Sequence, residues 1–215
     1  MTQCLPLAND YKGATSQGVL PANTGGIADD TLSSPNNNEK GGNDNTSVVE
    51  SGNQWAEQLT TTQRSALRDY TDTSYSNINS SLRGKSRFSA GNVEKATAIH
   101  QALSKATIPC ACTVYRGASN AALGYLQNLS DDELVGHVIR DGGFLSTTLQ
   151  PDSPFMGNVQ FEISVPAGAH GAYIGSLSCF PDEDEVLFDA QQHLTITGVR
   201  RGKYGERIIS ARMLV

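Results

Sequence analysis

Two glutamates two residues apart, Glu183 and Glu185, stand between a Pro/Asp turn and the β-prone run Val186-Leu187-Phe188. In an extended strand, residues i and i+2 project to one face. The spacing therefore predicts two carboxylates aimed at a common point, with Asp184 turned away. Close carboxylates repel and one pKa rises, so such a pair supplies one anion and one proton acceptor. A solvated acidic turn ahead of an edge strand would carry the same residues. Two further polar features lie upstream. Arg116 ends the run Thr113-Val114-Tyr115-Arg116, and Ser146-Thr147-Thr148 ends another. An arginine in such a strand needs an anion partner or an exposed edge, and a diphosphate is a ligand its planar fork holds well.

The elements that position these residues follow from patterning. Thr60-Thr61-Thr62-Gln63 is a capping-box sequence opening a helix through Leu67 and Tyr70, and Tyr75, Ile78 and Leu82 keep helical spacing until Gly84. A further helix is expected from about Asn92, with Val93, Ala96, Ile99 and Leu103 inward, ending before Ile108-Pro109. A second capping box at Ser130-Asp131-Asp132-Glu133 predicts a helix running to Gly142-Gly143. Residues 158–165 alternate strictly, with Val159, Phe161, Ile163 and Val165 on one side. Short strands are expected at 144–148, 172–174, 186–188, 193–199 and 207–214. Helices first and strands afterwards indicate an α+β domain.

Charge and composition divide the 215-residue chain unevenly. Residues 1–57 hold seven acidic residues against two lysines, so they account for −5 of the net −6. The remainder is nearly neutral and has no basic stripe, which argues against nucleic acid as a partner. Residues 1–53 are rich in Asn, Ser, Thr and Gly and too poor in apolar residues to offset their ordering entropy. They are expected to form a disordered polar leader, suited equally to a plain linker or to a type III secretion segment, followed by a folded domain over 54–215. No basic region followed by an apolar core resembles a Sec signal peptide, and no apolar run is long enough to span a bilayer. Cys4, Cys110, Cys112 and Cys179 have no zinc-type spacing and read as reduced thiols. No metal site is expected.

In order and spacing, Val114-Tyr115-Arg116-Gly117, Gly143-Phe144-Leu145-Ser146-Thr147-Thr148 and Glu183-Asp184-Glu185-Val186-Leu187-Phe188 resemble the Arg–Ser–Glu class of mono-ADP-ribosyltransferase toxins and effectors. The resemblance spans residues 55–215. It implies a mixed two-sheet β-sandwich with an N-terminal helical lobe, holding NAD as co-substrate between the sheets. By that resemblance Arg116 and Gly117 hold the NAD phosphates, Ser146 positions Glu185, and Thr147 and Thr148 support the cleft. Glu185 contacts the nicotinamide ribose, Glu183 activates the acceptor, Phe155 stacks over the cofactor, and Phe180 recognises the target. The family's usual Ser-Thr-Ser is Ser-Thr-Thr here, which keeps the hydroxyl and adds a methyl. A glutamate at position 183 goes with arginine acceptors in that family, with threonine a further acceptor to be considered. The implied activity is transfer of ADP-ribose to a host protein (actin, a small GTPase, an RNA-binding protein or ubiquitin) by a secreted enzyme acting in the host cytoplasm. An NAD glycohydrolase, or a catalytically silent binding module on the same fold, would share these motifs.

Overall fold

The computed structural model describes residues 45–151 and 157–215. Eight strands form one mixed sheet in the order β2-β7-β8-β4-β1-β3-β6-β5. They are β1 (Cys112–Ala118), β2 (Val138–Asp141), β3 (Leu145–Thr148), β4 (Val159–Val165), β5 (Gly171–Tyr173), β6 (Glu185–Phe188), β7 (Gln192–Arg201) and β8 (Arg207–Leu214). Among the described residues, only β4 and β8 pair in parallel. The expected two-sheet sandwich is instead one hydrogen-bonded sheet, but its halves meet narrowly. Strand β1 pairs with β4 over seven residues, whereas β1 and β3 share only the pair Tyr115↔Thr148. Arg116, Ser146 and Glu185 all lie beside that seam.

Helices α1 (Asn45–Glu57), α2 (Thr61–Asp69), α3 (Tyr75–Leu82) and α4 (Ala90–Leu103) precede the sheet. Helix α1 corrects the leader boundary expected at residue 53. Asn45 onward is helical, Val48 is buried, and Gly52 lies so close to β5 that a Cβ there would meet the Tyr173 carbonyl at 2.5 Å. A sequence that reads as polar is thus recruited by a few well-spaced small and apolar residues. Residues 1–44, on which the rest of the leader expectation falls, lie outside the described residues.

The N-terminal helices share a core with one half of the sheet. Leu67, Tyr70, Ile78, Ile99 and Leu103 pack with Phe144, Ala172, Ile174 and Leu187 of the β3–β6–β5 half. Strand alternation explains this: Leu187 pairs with Ser146 on one side and Ala172 on the other, so all three share one face. The opposite face sends Leu145, Tyr173, Val186 and Phe188 into the larger core with Val114, Phe161 and Ile209.

Three further expectations change. Helix α4 begins at Ala90 behind a Ser89 cap, and Val93 is 46% exposed rather than inward. The capping box at Ser130 forms, but α5 (Asp131–Leu134) stops after one turn, where Gly136 takes φ 89° and β2 follows to pair with β7. Pairing with a neighbouring strand overrides the local helix start. Lastly, α2 and α3 join through a π-helical turn, Tyr70–Ser74, which turns Tyr70, Thr71 and Ser74 inward.

Arg83 is buried at the end of α3. Its Nε and Nη2 donate to the two Asp141 oxygens at 2.7 and 2.9 Å. Gly143 N–H donates to the same carboxylate at 3.0 Å, and the Arg116 guanidinium lies 3.8 Å away. Breaking one side of a buried pair strands a charge, so Arg83→Met is expected to cost about 3–5 kcal/mol of unfolding free energy. Urea denaturation of the variant beside wild type checks this.

Candidate active site

Strand β1 lies between β4 and β3, so Arg116 is not an edge-strand charge. It shares strand parity with the buried Cys112, Val114 and Ala118, and its 2% exposure places the guanidinium inside the fold. Its Nη1 donates to the Ser146 carbonyl at 2.5 Å. Asp141 is bidentate to Arg83 and also faces Arg116, so one carboxylate is set against two cations. Glu185 is a second buried carboxylate coupled to Arg116, so two arginines and two acids meet beside the seam, where charge is weakly screened.

Ser146 and Glu185 face the helices from adjacent strands. Thr148 pairs with Glu185 and Ser146 with Leu187, so Ser146 is the diagonal neighbour of Glu185. Ser146 Oγ donates to Glu185 Oε1 at 2.6 Å. Glu185 is 5% exposed, and burial pushes its pKa up to about 7. The Ser146 hydroxyl opposes the rise, the Glu183 charge adds to it, and Arg116 opposes it again. The ring of Tyr70, placed by the π-helical turn, is buried near Glu185, and that burial together with the Glu185 charge raises its pKa. Asn79 bridges Tyr70 to the sheet: its Nδ2 donates to the Tyr70 hydroxyl at 2.8 Å, and its Oδ1 accepts from Phe144 N–H at 2.9 Å.

Glu183 and Glu185 are close enough to couple electrostatically, but not as two residues of one strand. Pro181–Glu183 form a 3-10 turn, Asp184 is left-handed at φ 45°, and β6 begins only at Glu185. The strand-face expectation for the pair is corrected: a turn, not a pleat, brings Glu183 to the site. Phe180 precedes that turn and is 37% exposed.

The remaining expected site residues take bracing positions. Thr147 Oγ1 donates to the Val186 carbonyl at 2.8 Å, and Thr148 Oγ1 to the Glu183 carbonyl at 2.7 Å. Their hydroxyls tie β3 to β6 and to the glutamate turn. Gly117 is buried in β1 opposite Gln160. Phe155 lies outside the described residues. Tyr70, Asn79, Arg83 and Asp141 were not expected at the site. Asp141 closes the short run Val138-Ile139-Arg140, which the capping box at Ser130 makes part of the expected helix.

Ser146→Ala is expected to move the apparent pKa for activity upward from about 7, because the lost hydrogen bond favours the carboxylate. Activity near neutral pH should fall about tenfold and recover in part at higher pH, read from kcat/KM against pH.

A buried, serine-held glutamate with an interior arginine at the seam of a mixed α+β sheet is the arrangement that the resemblance to ADP-ribosyltransferases implies. The ADP-ribosyltransferase exoenzyme family model matches residues 49–214, and the chain belongs to that family. The Mycobacterium avium (strain 104) protein named "Putative NAD(+)--arginine ADP-ribosyltransferase Mav" is 31% identical over 129 residues, 58% of this chain. The chain spans only 14% of that relative's length. Among solved structures, Plx2a, an ADP-ribosyltransferase toxin from Paenibacillus larvae, superimposes with a TM-score of 0.71 at 24% identity, over 80% of this chain and 94% of that one. The Clostridium limosum C3 exoenzyme gives 0.69 at 21%, over 80% and 93%. C3stau2 from S. aureus, solved with NAD, gives 0.67 at 20%, over 80% and 96%. These structures share the fold.

Proposed function

We propose that this chain is an NAD-dependent protein mono-ADP-ribosyltransferase that favours an arginine acceptor. The observation that carries the proposal is the 2.6 Å Ser146–Glu185 hydrogen bond on a buried carboxylate whose pKa stands near neutrality. The family model, the name of the Mycobacterium avium relative and the NAD bound in C3stau2 support NAD as co-substrate.

In the proposed reaction the nicotinamide–ribose bond of NAD breaks and nicotinamide leaves as a neutral base with the bonding electrons. Positive charge develops on the ribose, as in glycoside hydrolysis. In its ionised form and oriented by Ser146, Glu185 stabilises that charge more than the ground state. Because the leaving group is already cationic, no general acid is required. Arg116, whose planar guanidinium fork suits paired phosphate oxygens, is assigned to the diphosphate. Glu183 takes the proton that an arginine nitrogen must lose as it bonds to the ribose, since free guanidinium does not deprotonate near neutral pH. Phe180, exposed ahead of the glutamate turn, is assigned to target contact. The proposed setting is that of a secreted toxin acting on a host protein such as actin, a small GTPase, an RNA-binding protein or ubiquitin.

The test is incubation of wild type and Glu185→Ala with labelled NAD and host-cell lysate, with labelled proteins read by mass spectrometry. A Glu185-dependent protein label is expected. Nicotinamide release without label would indicate a glycohydrolase, and neither product would indicate a binding module.

A further inference from the structure

The turn that presents Glu183 is fastened at three consecutive carbonyls. Gln150 Nε2 donates to the Asp182 carbonyl at 3.3 Å, Thr148 Oγ1 to that of Glu183 at 2.7 Å, and Leu149 N–H to that of Asp184 at 3.2 Å. Three successive residues leaving β3 thus hold three successive residues entering β6. The Asp184 carboxylate is gripped separately. Its Oδ2 accepts from Gln150 Nε2 at 2.6 Å and its Oδ1 from the Tyr173 hydroxyl at 3.2 Å. Tyr173 ends β5 and is buried, so its hydroxyl is delivered from a rigid element. Asp184 itself is left-handed, a conformation that asparagine, aspartate and glycine tolerate best. An exposed turn with a strained central residue would otherwise sample many arrangements.

We propose that Gln150, Tyr173 and Asp184 are positioning residues forming a clamp that holds Glu183 in register with Glu185, and that the clamp decides whether ADP-ribose passes to a guanidino acceptor or to water. The inference rests on the transferase reading above. In both outcomes the C1′–nicotinamide bond breaks and nicotinamide departs with the electron pair. In transfer, C1′ bonds to a guanidino nitrogen whose proton goes to Glu183; in hydrolysis, C1′ bonds to a water oxygen and the proton is lost to solvent. Hydrolysis needs Glu185 alone, whereas transfer also needs Glu183 at a fixed distance. A misplacement of about 1 Å costs transfer on the order of 100-fold.

Three variants remove the clamp with little other change. Tyr173→Phe keeps the packed ring, Asp184→Gly keeps the left-handed backbone, and Gln150→Ala removes one exposed amide. The full chain is assayed with NAD and agmatine, measuring nicotinamide release and ADP-ribosyl agmatine together. Amide exchange at Leu149, whose N–H bonds the Asp184 carbonyl, is followed in parallel. Exchange at Leu149 is expected to quicken about tenfold in Tyr173→Phe and Asp184→Gly. Transfer should fall about tenfold or more while hydrolysis in the absence of agmatine stays within about threefold. Parallel loss of both activities, or unchanged transfer, overturns the clamp's role in partition, and unchanged exchange overturns the clamp itself. If wild type releases no nicotinamide and modifies no agmatine while exchange responds as expected, the transferase reading fails and the clamp's catalytic role falls with it. Wild-type hydrolysis without agmatine modification overturns the guanidino acceptor, and with it the partition.

Discussion

Replacing Glu185 with glutamine is expected to reduce ADP-ribose transfer and nicotinamide release together by roughly 10²–10⁴-fold. The two side chains are nearly isosteric, and Ser146 Oγ, which donates to Glu185 Oε1 at 2.6 Å, can donate equally to an amide oxygen. The loss therefore reports charge rather than shape. Stability should move the other way. The folded pKa of Glu185, about 7, stands above its unfolded value because burial penalises the carboxylate. Its contribution to stability is fully present below the unfolded pKa and is lost as pH rises through about 7. Glutamine carries no such penalty. Glu185→Gln should therefore be more stable than wild type at about pH 8, by a few kcal/mol at most, and the gap should close toward about pH 4. Thermal melts across that range, beside a nicotinamide-release assay, check both halves. A variant that kept full activity would remove Glu185 from the reaction.

Glu183→Ala is expected to separate the two activities that Glu185→Gln abolishes together. Glu183 lies in the turn ahead of β6, and its charge contributes to raising the Glu185 pKa. Removing it should lower the Glu185 pKa and leave nicotinamide release measurable at neutral pH. Transfer to an arginine acceptor should fall by about 100-fold or more, because the departing proton loses its base. The measurement is the ratio of modified acceptor to free ADP-ribose at equal NAD consumption. Equal loss of both products would assign Glu183 to cleavage rather than to the acceptor. The pH profile for nicotinamide release supplies a second check, since its midpoint should shift downward when a neighbouring negative charge is removed.

Much of the site was legible in the linear chain. Arg116, Ser146 and Glu185 stand in strands of the expected order, and the strict alternation over 158–165 became β4 with Val159, Phe161, Ile163 and Val165 buried. The capping boxes at Thr60 and Ser130 both form, because a cap depends on residues only three apart. Local chemistry of this kind is written in local sequence. How far an element continues is not. The helix opened at Ser130 stops after Leu134 because Val138–Asp141 gains more as a partner for β7 than as further helical turns. Helix α1 was hidden in a polar stretch because its burial depends on Gly52 meeting Tyr173, 121 residues away.

The partners of the candidate site residues required the folded chain. Arg83 meets Asp141 across 58 residues, and Asn79 meets Phe144 across 65. No periodicity or spacing records such pairs, since their energy arises only when burial removes water from both groups. The π-helical turn that places Tyr70 beside Glu185 has no residue signature in Tyr70–Ser74, being a register adjustment between two packed helices. The sequence by itself placed an arginine, a serine and two glutamates in an order and spacing that resemble a family known for cleaving a glycosidic bond. Tertiary structure alone decided that Glu185 is buried, that Glu183 reaches it from a turn, and that two arginines share one aspartate behind them. The reason is physical: identity sets what a side chain can do, while pKa and reach are set by the dielectric, charges and hydrogen bonds that distant segments bring to it.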